Sequence, residues 1–355
     1  MGKWRRYVYL VVNDTGRASY PLRRIAASSL FYPSANQAKS STTHHTPMPL
    51  DEPPLPRPCI SFMPSRSSWG KGALDFFGFF GVGKNKTLLA AVDYRGVSYT
   101  YDVDGRVVGD IATPQEAKSH RPVSVPLGDA LYVLDRNLIP GRRGCFDALT
   151  FGRAKDLMCT RLHWDWRSLQ PPPFMSEPGY KATGVSGYAV VGGSGILVST
   201  GDVGTHCFDT VRGSWDKVGD WELPFYGRAN FLPEYGAWVG FSAQDNRICY
   251  LTELGASMQR QPELDMVWDD PTMQVYTNIL KSQLVHLGSG KLCVARLFER
   301  VENEYTEHGN IPQVEGFIVL TGLVLKPSEF GRGIEMIQNK SLLYRFEAVS
   351  DCWVF

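Results

Sequence analysis

The stretch Gly187-Tyr188-Ala189-Val190-Val191-Gly192-Gly193, continued by Ile196-Leu197-Val198-Ser199, His206-Cys207-Phe208-Asp209, Trp215 and Trp221, decides the fold. A first apolar run ends in paired glycines, a second run follows a turn, and a third closes on an aromatic-Asp pair with a tryptophan six residues beyond. Each part has a physical task. Gly193 allows a tight turn between neighbouring strands, Asp209 can accept hydrogen bonds from turn amides, and Trp215 fills space between adjacent units. This order of parts is that of a kelch-type propeller blade.

Working outward, weaker copies flank this unit, and self-similarity at a period of about 40–50 residues separates a propeller from a sandwich. One copy runs from Thr87 to Ile111, another from Pro122 to Trp166, a third from Ala229 to Trp268 and a fourth from Ser282 to Leu325. The remainder, Ile334 to Phe355 together with Tyr7 to Val12 and Cys59 to Phe62, predicts a composite blade. Joining the two chain ends in one sheet would close the ring and remove exposed edges. The expectation is therefore an all-β, kelch-like β-propeller forming a single domain over residues 1–355. It has six blades, with five or seven left open because the copies are degenerate. Residues 37–58, rich in Ser, Thr, His and Pro, predict a long irregular loop. Ser19 to Phe31 reads equally as a helix or an extended arm.

Composition narrows the function classes. The 355 residues are 43% hydrophobic, which is ordinary for a chain that buries a core. Lys+Arg 37 against Asp+Glu 36 gives a formal charge of +1, so there is no global footprint for nucleic acid or an acidic membrane. Cys59, Cys145, Cys159, Cys207, Cys249, Cys293 and Cys352 are odd in number and widely spaced, which reads as reduced, buried thiols of a cytoplasmic or nuclear protein. The longest apolar stretch, Phe317 to Leu325, is far short of the roughly 20 residues that span a bilayer. The first 50 residues are Arg- and Ser-rich with a single acid, Asp14, which is also the composition of an organellar transit peptide.

Leu22-Arg23-Arg24-Ile25 with Ser28-Ser29-Leu30-Phe31-Tyr32-Pro33-Ser34, Trp166-Arg167-Ser168-Leu169-Gln170-Pro171-Pro172-Pro173-Phe174, and Thr205-His206-Cys207-Phe208-Asp209 are strings that together resemble a plant family, one expanded in grasses and catalogued as a domain of unknown function. Gly219-Asp220-Trp221-Glu222-Leu223-Pro224-Phe225 and Leu287-Gly288-Ser289-Gly290-Lys291-Leu292-Cys293 continue the similarity over nearly the whole chain. The resemblance implies a plant source and a kelch-like propeller. It supplies no activity and no catalytic residues.

Each motif that could carry chemistry also has a plainer reading. Gly78-Phe79-Phe80-Gly81-Val82-Gly83-Lys84-Asn85 nearly matches a phosphate-binding loop, but Asn85 stands where Ser or Thr is needed and a strand follows where a helix is required. A Gly-rich hairpin connection fits better. Cys159, His163 and Asp165, with His206 or His286 as a distant fourth, lack the paired spacing of a metal site. His44 and His45 are neighbours in the irregular tract. Gly192-Gly193-Ser194-Gly195 is a blade turn and not a nucleophile elbow. Glu263 and Asp265 would share one face of a strand and could do acid-base work, although solvated alternation gives the same pattern.

The most binding-like feature is the loop Pro140-Gly141-Arg142-Arg143-Gly144, since exposed guanidinium groups on a loop can meet carboxylates or phosphates. Arg142 and Arg143 are therefore the candidate protein-binding residues. No catalytic residue, cofactor or metal site is assigned. The expected function is a non-enzymatic intracellular protein-interaction module with a protein partner, and neither nucleic acid nor membrane among its partners. The alternative is a carbohydrate-active enzyme or oxidoreductase with its site at the central channel.

Overall fold

The computed structural model describes residues 4–33, 50–64, 73–84, 86–93, 95–114, 116–153, 162–268, 278–306, 309–328, 333–347 and 349–355. The chain opens with β1 (Tyr7–Asp14), β2 (Tyr20–Ala26), β3 (Leu50–Asp51) and β4 (Pro58–Phe62). An antiparallel meander follows: β5 (Leu74–Phe80), β6 (Leu88–Asp93), β7 (Ser98–Asp102) and β8 (Val107–Ile111). The next sheet holds β9 (Val123–Leu127), β10 (Ala130–Leu134), β12 (Phe146–Arg153) and β13 (Leu162–Ser168), with the short β11 (Asn137–Leu138) leaving it to pair with the following unit.

Then come β14 (Thr183–Val191), β15 (Gly195–Thr200), β16 (Gly204–Asp209) and β17 (Ser214–Gly219), and after them β18 (Phe225–Leu232), β19 (Ala237–Ser242), β20 (Ile248–Leu251) and β21 (Met266–Val267). These two meanders are joined into one nine-stranded sheet by parallel pairing of β14 with β18, with β11 attached to β14. Last are β22 (Ile279–Gly288), β23 (Lys291–Thr306), β24 (Gly309–Pro327), β25 (Ile334–Phe346) and β26 (Val349–Val354). Among the described residues the only helical turns are two of 3-10 type, Ala27–Leu30 and Pro173–Ser176.

The decisive stretch folds as its residues require. Gly192 and Gly193 turn between β14 and β15 with φ of 57° and 73°, the left-handed region that side chains avoid. Asp209 accepts hydrogen bonds from the amides of Val211 at 2.9 Å and Arg212 at 3.0 Å, closing the next hairpin. Trp215 packs across the unit boundary on Phe146, at 5.5 Å between ring centroids, as well as on Phe208 of its own unit at 5.2 Å.

The apolar core lies between sheets. Val11 and Trp353 meet Phe76 and Leu89; Phe77 and Phe80 meet Leu131 and Leu149; Phe146 and Val125 meet Ile196 and Phe208. Leu197 and Cys207 meet Phe225 and Trp238; Val239 and Phe241 meet Leu292 and Leu323; and Cys293 and Leu320 meet Leu10 and Cys352. The innermost strands stand beside one another, β5 by β9, β9 by β14, β14 by β18, β18 by β22 and β22 by β26. Gly78 of β5 in turn lies against the Phe355 ring that follows β26. Antiparallel meanders whose inner strands face a common channel make a β-propeller.

The chain ends do meet in one sheet, in the order β26-β1-β2-β4, with Leu10 opposite Val354 and Val12 opposite Cys352. Three boundaries differ from the sequence reading. Ile334–Phe346 does not join that composite sheet but pairs with β24, and only the last strand, after the turn at residue 347, crosses into it. Ser19 to Phe31 supplies β2 and a single 3-10 turn. Leu74–Phe80, unassigned from sequence, is a full inner strand. Phe76 enters one core and Phe77 and Phe80 the next, so the strand shows no polar-apolar alternation.

Other readings depart more mildly. Cys59 is exposed, whereas Cys145, Cys207, Cys249, Cys293 and Cys352 are buried free thiols; Cys159 lies outside the described residues. Of the tract at 37–58, residues 37–49 lie outside the described residues; Leu50 and Asp51 add a short parallel strand to β25. β23 and β24 run on past their neighbours. Beyond the Ile279–Phe298 and Gly316–Phe346 pairs their ladder pairing is with each other, as a ribbon leaving the end of the sheet where β22 begins.

His206 of β16 is buried, with its ring 4.7 Å from that of Phe174 and its Nδ1 without a hydrogen bond. Burial, with Lys217 adding repulsion, lowers its pKa to about 4. The folded state therefore resists the proton that the unfolded chain accepts below its ordinary pKa. Stability from this group is complete at neutral pH and is lost as pH falls from about 6.5 toward 4, by about 2 kcal/mol at pH ~5. Urea titrations should show a His206→Phe variant losing less stability between pH ~7 and ~5 than wild type; an equal loss would contradict this account.

Candidate functional site

The inner strands enclose two adjoining cavities of about 380 and 360 Å³ that share Gly78, Arg228, Asn230, Leu284, Val354 and Phe355. Together they form the channel. Polar groups gather at the end where the inner strands begin: Asp75 on β5, Ser124 on β9, Tyr226 on β18, Lys281 on β22 and Asp351 on β26 each fall in the first three residues of their strand.

The mouth is organised by Asp351, whose side chain is 3% exposed. Its carboxylate accepts hydrogen bonds from Arg121 Nε at 2.7 Å, Lys281 Nζ at 2.8 Å and the Cys352 amide at 2.8 Å. Lys281 Nζ also lies 4.6 Å from the centroid of the Trp353 ring, a cation–π contact. Arg121 enters this cluster from the loop before β9 with a left-handed backbone, φ 57°, uncommon for a residue with a side chain. Its amide donates to both carboxylate oxygens of Asp75 at 3.2 Å. His120 stands between the two acids, with Nδ1 3.6 Å from Asp75 and Nε2 3.9 Å from Asp351. The Asp75 carboxylate beside it raises the imidazole pKa against the opposing effect of burial.

Among the described residues lining the channel, Asp75 is the one side-chain carboxylate, and the cations Arg136, Arg228 and Arg5 lie along its wall. Tyr188 and Arg228 are opposite partners in the parallel β14/β18 pairing. That pairing needs Gly187, because a Cβ there would sit 2.3 Å from the Phe225 carbonyl oxygen. Gly227 takes a left-handed φ of 71° within a bulge, so residues 227–229 leave β19 and pair with β14 instead. This bulge sets Tyr226, Arg228 and Asn230 along one wall. Arg136, anchored by its carbonyl to the Val185 amide, donates from its guanidinium to the Tyr226 hydroxyl at 2.9 Å.

The two arginines singled out in the sequence divide. Arg142 is half-buried, with Nε 2.9 Å from a carboxylate oxygen of Asp135, which is fully buried, and it donates to the Ala117 carbonyl at 2.5 Å. Burial raises the Asp135 pKa, opposed by the Ser119 amide and by Arg142. Arg143 is exposed. Its loop joins β10 to β12 through β11, which pairs with the beginning of β14, so it lies at the same end of the molecule as the channel mouth.

Other sequence candidates do not converge. Gly78 to Lys84 is the end of β5 and a turn leading to β6, and Lys86 ties that turn to the Gly81 and Gly128 carbonyls. Asn85, Cys159, His44 and His45 lie outside the described residues. His163 and Asp165 lie on β13, His206 is packed in the core, and His286 Nε2 is 3.3 Å from Glu234. Among the described residues no group of three or more His, Cys, Asp or Glu side chains is placed to hold a metal ion. Glu263 and Asp265 are in the loop before β21 instead of on a strand, and Asp265 accepts hydrogen bonds from Thr252. No described helix is long and apolar enough to cross a membrane.

The channel residues Arg121, Arg136, Arg228, Lys281 and Asp351 were missed because each comes from a different element. The usable signal was the polar residue placed just inside the start of several inner strands.

Among solved structures, the β-propeller domain of Myceliophteria thermophila Cps50 (Swd1) aligns at 12% identity and TM-score 0.32, over 51% of this chain and 52% of that one. The WD40 domain of SCAP from fission yeast aligns at 9% identity and TM-score 0.34, over 82% of this chain and 70% of the other. BamB from Moraxella catarrhalis aligns at 14% identity and TM-score 0.30, over 75% and 77%. The fold rests on the strand pairings above and not on these likenesses. No curated protein matches the chain in sequence. The family model described as "Protein of unknown function (DUF1668)" matches residues 5–344, and the chain belongs to that family.

Proposed function

We propose that the chain is a kelch-like propeller of six blades, closed by the pairing of β26 with β1, that works as a non-enzymatic protein-interaction module in the cytoplasm or nucleus of plant cells. The observation that carries this reading is the crowding of one end. The exposed Arg143 loop, the charged channel mouth and the β23–β24 ribbon all stand at the end where the inner strands begin. Loops on a rigid scaffold are the usual place for recognition, and an exposed guanidinium suits an acidic partner surface.

Affinity capture of the tagged full chain, beside Arg143→Glu, tests this. The expected result is a stoichiometric partner lost at least tenfold by the charge reversal, with the thermal midpoint unchanged. Recovery of no partner by wild type, or equal recovery by both, would remove the assignment. Catalysis at the channel mouth would have to use His120, since the Asp351 carboxylate is committed to Arg121 and Lys281 and Asp75 to the Arg121 amide. The interaction reading is therefore preferred.

A further inference from the structure

We propose that the channel is a binding site for a small anion bearing a carboxylate or phosphate group, held by Arg228 and Arg136. This goes beyond the protein-binding reading and does not depend on it. The acids at the mouth are already engaged, Asp351 by Arg121 and Lys281, and Asp75 by the Arg121 amide and His120. At the far end Glu234 faces His286. Neither Arg136 nor Arg228 pairs with a carboxylate among the described residues. The polar partner of Arg136 is the Tyr226 hydroxyl, and the nearest charged or titratable neighbour of Arg228 across the sheet is Tyr188. Arg5, which also lines the channel, adds further positive charge near Arg228.

A half-buried guanidinium without a counter-ion is disfavoured by desolvation, and a bound anion removes that penalty. The planar fork of arginine matches the two oxygens of a carboxylate or phosphate. The phenol of Tyr188 lies beside both guanidinium groups, and burial pushes its pKa up despite their charges, so it stays a hydrogen-bond donor. Asn230 and Ser124 complete a polar lining in a cavity of about 380 Å³, within the range of small-molecule sites.

Calorimetric titration and thermal melts of the full chain, in low-salt buffer with inorganic phosphate and separately with citrate, test the proposal. Wild type should bind at least one of the two saturably at millimolar concentration or below, with a raised thermal midpoint. Arg228→Met and Arg136→Gln should each weaken binding at least tenfold, whereas Arg260→Gln, an equal change of charge at an exposed residue outside the channel, should not. Arg228→Met should also melt no lower than wild type without ligand, because it removes an uncompensated charge. If that variant fails to fold, Arg136→Gln decides. Absence of saturable binding to both probes, or equal binding by wild type and both channel variants, would overturn the proposal.

Discussion

Replacing Asp351 with alanine is expected to cost about 3 kcal/mol of folding stability, the lower end of what is found when one partner of a buried ion pair is removed. The cost arises on the partners. Arg121, from the loop before β9, and Lys281, on β22, are 37% and 18% exposed at their side chains, and both direct their charge at a carboxylate that is 3% exposed. Without it two cations face each other at the channel mouth, and the Cys352 amide loses its acceptor.

The thermal midpoint should fall by at most roughly 6–12 °C, taking the about 2–4 °C per kcal/mol found for chains of about 150–250 residues as an upper bound for this longer one. Asp351→Asn should lose less, because the amide oxygen can still accept from Arg121 or the Cys352 amide. Combining Asp351→Ala with Lys281→Met should recover part of the loss, since one stranded charge is then gone, and the non-additivity gives the coupling directly. A single-variant loss below about 1 kcal/mol would mean that water in the channel already screens the cluster.

Asp351 also illustrates what a sequence withholds. Its partner Arg121 lies 230 residues away and Lys281 lies 70 away. Local signals, in contrast, were legible wherever one residue acts on its own neighbours. The Gly192-Gly193 turn, the Asp209 turn and the inter-unit Trp215 all behave as their chemistry demands. The weaker copies could be placed because each carries an apolar run bounded by turn residues. The Leu74–Phe80 strand escaped because both its faces are buried, which erases alternation, and a Gly-rich segment beside it resembled a loop. The C-terminal tail was read as one piece because Ile334–Phe346 and Val349–Val354 are both apolar, and the turn that sends them to different sheets is short. Tyr226, Arg228 and Arg136 could not be grouped, since what unites them is a bulge at Gly227 and the close approach allowed by Gly187.

The loop arginines should separate cleanly, with Arg142→Ala costing about 3 kcal/mol and Arg143→Ala costing less than about 0.5 kcal/mol. Arg142 places its guanidinium 2.9 Å from the Asp135 carboxylate, which is 0% exposed, whereas Arg143 is exposed to solvent. Truncating Arg142 strands a buried negative charge whose remaining help is the Ser119 amide, donating at 2.6 Å, and the charge of Lys118.

The pH dependence identifies the cause. Burial already raises the Asp135 pKa above its unfolded value, so the folded state holds that proton more tightly, and the stability linked to it is present at low pH and lost as pH rises through the folded value. Removing Arg142, which opposes this rise, lifts the folded pKa further and widens the window of loss toward neutral pH. Urea titrations should therefore show the Arg142→Ala deficit largest near pH 7 and smaller near pH ~5, as the stranded carboxyl takes up a proton. A deficit independent of pH would assign the loss to the hydrogen bond with the Ala117 carbonyl and to packing. Equal losses for Arg142→Ala and Arg143→Ala would contradict this division, in which one arginine holds the loop in place and its neighbour stands exposed to solvent.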